Sequence, residues 1–206
     1  MQKLFLLCCL FAQGALLAQT PEEAKQQLVE GNKRFVAGTL IHPDRDELRR
    51  HETAVKQTPF AVIVGCSDSR VAPEIIFDSG IGDLFVVRVA GNVVGPLEFE
   101  SIKFSVTQFN SVLVLVLGHK NCGALNAVIK GQAKGFEEIE RKVTPAIDKV
   151  KNQPGDMLEN AIIMNVELEV EKLKKSPVFR ELIEQGKVNI IGGYYHLETG
   201  EVELLK

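Results

Sequence analysis

An excess of positive charge is missing from this chain of 206 residues: 24 Lys and Arg stand against 27 Asp and Glu, a formal net charge of −3. Such a chain has no global positive field with which to hold nucleic acid or an anionic membrane, and both drop out as primary partners. Cysteine is scarce. Of the four present, Cys8 and Cys9 sit in an apolar leader, which leaves Cys66 and Cys122, too few for a disulfide-built scaffold of this size. No G-x-G-x-x-G or Walker-type loop occurs, so Gly82 and Gly91 do not mark a nucleotide site. Repeats, low-complexity tracts and a Pro/Gly/Ser linker are absent too. One domain is expected, since about 150 residues per domain is usual. Hydrophobic residues make up 45% and charged residues 25%, near the globular average, which excludes a collagen-like, disordered or multi-span membrane chain.

Residues 1–18 hold one positive residue, Lys3, an apolar run from Leu4 to Ala12, and small residues at Gly14, Ala15 and Ala18. That is the pattern of a secretory signal peptide. The run falls short of the roughly 20 residues a membrane-spanning helix needs, and Gln13 and Gly14 interrupt it. Cleavage is expected near Ala18, with Gly14 as the alternative. The expected product is a domain over residues 19–206, exported to a periplasm and without a stable membrane anchor.

Thr20, Pro21, Glu22 and Glu23 read as a helix start: a capping hydroxyl, proline at the first helical position and acids at the positive end of the dipole. Leu28, Phe35 and Val36 give it an apolar face, and Gly38 ends it. Residues 40–58 are polar and read as an exposed connection with a short helix. Three Val-rich apolar blocks follow, from Phe60, Leu84 and Val112, and a fourth runs from Val188 to Tyr195. Blocks of this kind suit strands buried on both faces. Helical stretches separate them: Pro96 to Phe109, with Leu97, Ile102, Phe104, Val106 and Phe109 mostly on one side, then Phe136 to Val150, Asp156 to Leu173, and a short one opening at Ser176-Pro177. Thr199-Gly200 is a turn signal before a short alternating segment. The alternation predicts one α/β domain, a mainly parallel sheet of four strands plus a C-terminal edge strand, flanked by helices.

The first buried block ends in Cys66-Ser67-Asp68-Ser69-Arg70 and the third in Gly118-His119-Lys120-Asn121-Cys122-Gly123. Both motifs leave the carboxyl end of a strand, the edge where open parallel sheets bind ligands, so they are expected to converge. Cys66, His119 and Cys122 offer two thiolates and an imidazole, a set suited to zinc, and Asp68 can add an oxygen ligand. Arg70 can hold Asp68 by a bidentate pair and draw it off the metal. A water in its place would have its pKa lowered to about 7, while Asp68 orients it. Gly123 lets the backbone come close. Hydroxide attack on an electrophilic carbon is the chemistry implied.

The two motifs together resemble the signature pair of the β-class carbonic anhydrases. The likeness extends over roughly residues 21–200 and includes Gly82 to Arg88, Gly91-Asn92 and Gly193-Tyr194-Tyr195. It implies zinc-dependent reversible hydration of carbon dioxide to bicarbonate and a proton, a homodimer or a tetramer of dimers, Cys66, His119 and Cys122 as ligands, and a dyad of Asp68 and Arg70. By the same matching, Gln57 falls where members place an amide that bonds bicarbonate, and Phe85 would wall the apolar side of the pocket. Phe104 stands where plant-type members have Tyr. The inhibitory bicarbonate pocket of some bacterial members uses a Trp, and this chain has none.

Blander fates compete. Cys66 and Cys122 could form a disulfide in an exported protein, or the three ligands could clamp a structural zinc. His42, His51 and His196 read as surface groups, and Asp78, Asp83 and Arg88 as members of caps or ion pairs. The competing functions are hydrolysis of another heteroallene, such as carbon disulfide, and non-catalytic binding of zinc or an anion.

Overall fold

The computed structural model describes residues 19–206. The expected signal peptide, residues 1–18, lies outside them. Helix α1 (Pro21–Ala37) begins as its sequence directs: the Thr20 hydroxyl accepts from the Glu23 N–H, and the Glu23 carboxylate accepts from the Thr20 N–H, a reciprocal capping box. Gly38 closes the helix in the left-handed region at φ 67°. After α2 (Glu47–Val55) the chain runs through β1 (Ala61–Gly65), α3 (Pro73–Ile76), β2 (Leu84–Arg88) and α4 (Pro96–Gln108). It continues with β3 (Leu113–His119), α5 (Gly123–Ile129), α6 (Glu137–Val150), α7 (Met157–Lys175), α8 (Pro177–Glu184), β4 (Asn189–Tyr195) and β5 (Val202–Leu204).

The sheet has the order β2-β1-β3-β4-β5, parallel except for the last pair. This is the expected architecture. The chain leaves β1 for β2 on one side and leaves β3 for β4 on the other, so the topological switch lies between the carboxyl ends of β1 and β3, where parallel sheets open a crevice. Alternate residues of the two central strands face opposite layers, as the two-residue period of a strand requires. Ala61, Ile63, Leu113, Leu115 and Leu117 pack toward α1 and Phe77, while Val62, Val64, Val114 and Val116 pack toward α4, α7 and α8. A third cluster, with Leu125, Val143, Val150, Ala161 and Ile162, joins Cys66 and Cys122 beneath α5, α6 and α7. The carboxyl edge is therefore floored by its own apolar packing.

Close approach at this edge depends on Gly118. A Cβ there would stand 2.7 Å from Val166 Cγ2 and 2.9 Å from Ile162 Cγ2, both on α7, so any side chain would push that helix off β3. On the other layer Asn32, buried in α1, donates to the carbonyls of Ile76 and Gly200 and accepts from the Val202 N–H. One expectation fails. Ile102 and Val106 of α4 are buried, but Leu97 and Phe104 are 74% and 51% exposed, because positions seven apart form a stripe of their own on a different face of the helix. Among the described residues no helix is long and apolar enough to cross a membrane.

Candidate active site

Cys66 follows the last residue of β1, and His119 is the last residue of β3. Asn121, at φ 56°, turns the chain back so that Cys122 stands at the N-cap of α5. The Sγ atoms of Cys66 and Cys122 and a ring nitrogen of His119 lie within 4.8 Å of one another, and all three residues are buried. Both cysteines are free thiols. His119 Nδ1 lies 2.9 Å from the Lys120 carbonyl, which only accepts, so Nδ1 carries the proton and Nε2 keeps its lone pair. That Nε2 is buried with no hydrogen-bond partner. An orphaned lone pair facing two thiols is a set that could hold a metal ion.

The two thiols press on each other. The neighbouring Cys122 thiol holds the Cys66 thiol well below its ordinary value despite burial, with smaller help from the Gly91 N–H. The same proximity and burial push Cys122 up. Two bare thiolates are not stable in this buried place, and a divalent cation would relieve the conflict.

Asp68 stands beside the trio with Oδ2 3.8 Å from His119 Nε2, but its carboxylate belongs to Arg70. Arg70 Nε donates to Oδ1 at 2.9 Å, Nη2 to Oδ2 at 2.7 Å, and its backbone N–H to Oδ1 at 3.0 Å. These bonds from Arg70 hold the Asp68 carboxyl well below the usual carboxylate range. The carboxylate is thus paired with the guanidinium and stands next to the trio, outside the group of three.

Asp78 and Asp83 pair with Arg34 and Arg49. Arg88 departs from the expected ion pair: Nε donates to the Cys66 carbonyl at 2.9 Å and Nη2 to the Asp68 carbonyl at 2.6 Å. It therefore braces the loop that carries both residues. The clue is its position in register with Gly65 at the end of the neighbouring strand. Gly91, a second residue the motifs do not announce, donates its N–H to Cys66 Sγ at 3.3 Å.

Gly123 borders the trio, yet a Cβ there would meet nothing within 4 Å; it faces an apolar cavity of about 250 Å³ that Ala90, Ala127 and Phe136 also line. Gln57 and Phe85 are not brought to the trio within one protomer. Phe85 pairs in register with Val62, four residues before Cys66, and packs on Phe109 at 6.1 Å. Gln57 lies before β1 in an exposed cleft with Phe109. Phe85 sits toward the amino end of β2 and Gln57 ahead of β1.

A carbonic anhydrase family model matches residues 61–202. The carbonic anhydrase of Mycolicibacterium smegmatis is 38% identical over 191 residues, covering 89% of this chain and 93% of that protein. Among solved structures, the β-carbonic anhydrase CcaA has a TM-score of 0.70 at 25% identity, covering 88% of this chain and 95% of that one. A Coccomyxa β-carbonic anhydrase, solved in complex with acetazolamide, has a TM-score of 0.70 at 27% identity over 86% of this chain and 84% of its own. These likenesses favour carbon dioxide over another heteroallene and an enzyme over a binding protein. With a family match over most of the fold and the two strand-end motifs meeting at the switch point, this chain belongs to the β-carbonic anhydrases, the family that interconverts carbon dioxide and bicarbonate.

Proposed function

We propose that Cys66, His119 and Cys122 hold a zinc ion and that Asp68, fixed by Arg70, directs water onto carbon dioxide. The observation that carries this reading is the bidentate Arg70–Asp68 pair standing 3.8 Å from the unpartnered Nε2 of His119. Zinc bound there supplies a Lewis acid that brings the ionisation of water down to about neutral pH. The residues of the chain do the rest. Asp68 stays a carboxylate, accepts a hydrogen bond from the attacking oxygen and leaves that oxygen's lone pair aimed at the carbon. As the new C–O bond forms, one C=O electron pair moves onto oxygen to give bicarbonate, and the proton goes to buffer. Arg70 keeps Asp68 from turning into the metal position. Ala90 and Gly123 offer an apolar wall to an apolar substrate. The test is stopped-flow hydration of carbon dioxide with zinc counted on the same sample: about one zinc per chain with turnover supports the reading, and full zinc without turnover sinks it.

The assembly we infer is a homodimer, the unit that would let Gln57 and Phe85 serve the site of a second copy. Helix α2 has no buried residue, and Leu48, Val55, Leu97 and Phe104 leave apolar surface uncovered. Sedimentation that finds only monomers at working concentration would remove this inference. Export is likewise our reading of the leader. Cleavage after Ala18 leaves Gln19 first and keeps the Thr20–Glu23 cap of α1 intact. Fractionation and amino-terminal sequencing test it, and a full-length cytoplasmic product would overturn it.

A further inference from the structure

We propose that Asn165 is a positioning residue for the metal centre: from the buried face of α7 it holds Gly91 so that the Gly91 N–H stays on Cys66 Sγ. The proposal rests on the reading of Cys66 as a metal ligand. Asn165 is 2% exposed and shares its side of the helix with Ile162, Val166 and Leu173, all buried. An amide in such company costs stability unless it is bonded, and an aliphatic side chain would pack there without that cost. Its Nδ2 donates to the Gly91 carbonyl at 2.9 Å. Gly91 stands at φ 74°, in the left-handed region that favours glycine, and its N–H donates to Cys66 Sγ at 3.3 Å.

The same short segment is gripped at its far end. The Val94 carbonyl accepts from Lys142 of α6 at 3.1 Å and from Lys172 of α7, and Lys172 is tied to Glu169 at 3.1 Å. At the near end the Val89 N–H donates to the Gly65 carbonyl at 3.1 Å. Residues 91–94 are therefore clamped by two helices on one side and offer a single N–H to a thiol on the other. A thiolate that accepts a hydrogen bond gives less charge to its metal, and partners of this outer kind hold ligand orientation. Asn165 reaches the metal centre through Gly91 and touches neither substrate nor ligand atom.

The test uses the full mature chain loaded with cobalt(II) in place of zinc, comparing the thiolate-to-cobalt charge-transfer band of the unsubstituted protein with Asn165→Leu and Asn165→Ala. Zinc affinity by chelator competition and the unfolding temperature are measured alongside. Leucine fills the volume without a donor and alanine leaves space, so the pair separates a lost hydrogen bond from a cavity. The expected result is a shifted band in both variants and zinc bound about tenfold more weakly. If alanine does not fold, leucine alone carries the comparison; if leucine does not fold, Asn165→Met takes its place as the filled variant without a donor. Band and affinity unchanged in the folded variants, or changed in alanine and not in leucine, would overturn the role of Asn165. Absence of any thiolate band in the unsubstituted protein would instead overturn the metal reading itself.

Discussion

The guanidinium of Arg70 meets the carboxylate of Asp68 with two nearly equal bonds, 2.9 and 2.7 Å, and its Nη2 also reaches the Asn121 carbonyl at 3.4 Å. One side chain thus ties the loop after β1 to the loop after β3. Only a planar fork makes this set of contacts. Arg70→Ala is expected to lower turnover roughly 10–100-fold, the usual cost of losing a group that orients a metal site, while zinc stays near one per chain. Arg70→Lys should recover little, since an ammonium cannot make both bonds. Stopped-flow rates and metal analysis on one preparation check this, and equal loss of zinc and turnover would show that Arg70 serves metal retention instead.

The pH dependence follows from the sign of the Asp68 shift. Its folded pKa lies below the usual carboxylate range through the Arg70 bonds. The stabilisation from the pair is therefore present above the unfolded value of about 3.9 and is lost only as pH falls through the lower folded value. Asp68 is ionised throughout neutral pH and contributes no inflection there. The hydration rate is expected to rise from about pH 6.5 to 9 with the ionisation of metal-activated water. Asp68→Asn should lower the rate across that whole range and leave it rising. A profile that flattens in this variant would assign the inflection to Asp68 and contradict the present account.

A second carboxylate has a purely structural task. Asp78 has a fully buried side chain, accepts from Arg34 Nε at 2.7 Å, and takes the backbone N–H groups of Ile41 and His42 at 3.0 and 3.1 Å. Burial alone would raise its pKa, but Arg34 and the two N–H donors outweigh it and the net shift is downward. Asp78→Asn leaves Arg34 partly buried without its partner and is expected to cost about 3 kcal/mol. In the unsubstituted protein this contribution is present above about pH 3.9 and lost on further acidification. Urea unfolding at pH 7 and at successive steps below about pH 3.9 measures both; a deficit that grows as the pH falls would rule out the ion pair as its cause.

Much of this architecture is written locally. Val-rich blocks identify strands buried on both faces, Thr20 and Gly38 mark the ends of α1, and the motifs ending β1 and β3 identify the three residues that converge. Direction along the sheet also follows, because both motifs leave carboxyl ends. What stays hidden depends on partners far away in the chain. Asn165 looks like an ordinary polar residue of an amphipathic helix, and only folding brings it to Gly91, 74 positions earlier. Arg88 looks ready for a carboxylate and finds two carbonyls. Leu97 and Phe104 share the apolar character of Ile102 and Val106, and composition cannot say that two faces of α4 carry it. Gln57 and Phe85 were placed by likeness to relatives, which records residue identity but not which copy of the chain they serve.

Metal removal should expose an asymmetry between the two cysteines. Without a cation the proximity of the two thiols pushes Cys66 down and Cys122 up, so Cys66 is expected to be the thiolate of the pair. Accessibility points the same way, with Cys66 at 4% exposure and Cys122 at 0%. Thiolates are the reactive form, so the chelated protein is expected to take iodoacetamide first at Cys66. The metal-loaded protein should resist, since coordination by Cys66 and Cys122 would occupy both sulfurs. Chelation should also lower the unfolding temperature, because an ion that binds only the folded chain stabilises it by mass action. Peptide mass analysis after brief alkylation, with and without chelator, reads the order of modification. Faster labelling of Cys122 would place the thiolate on the deeper sulfur, and equal labelling with and without chelator would mean that neither cysteine holds the metal.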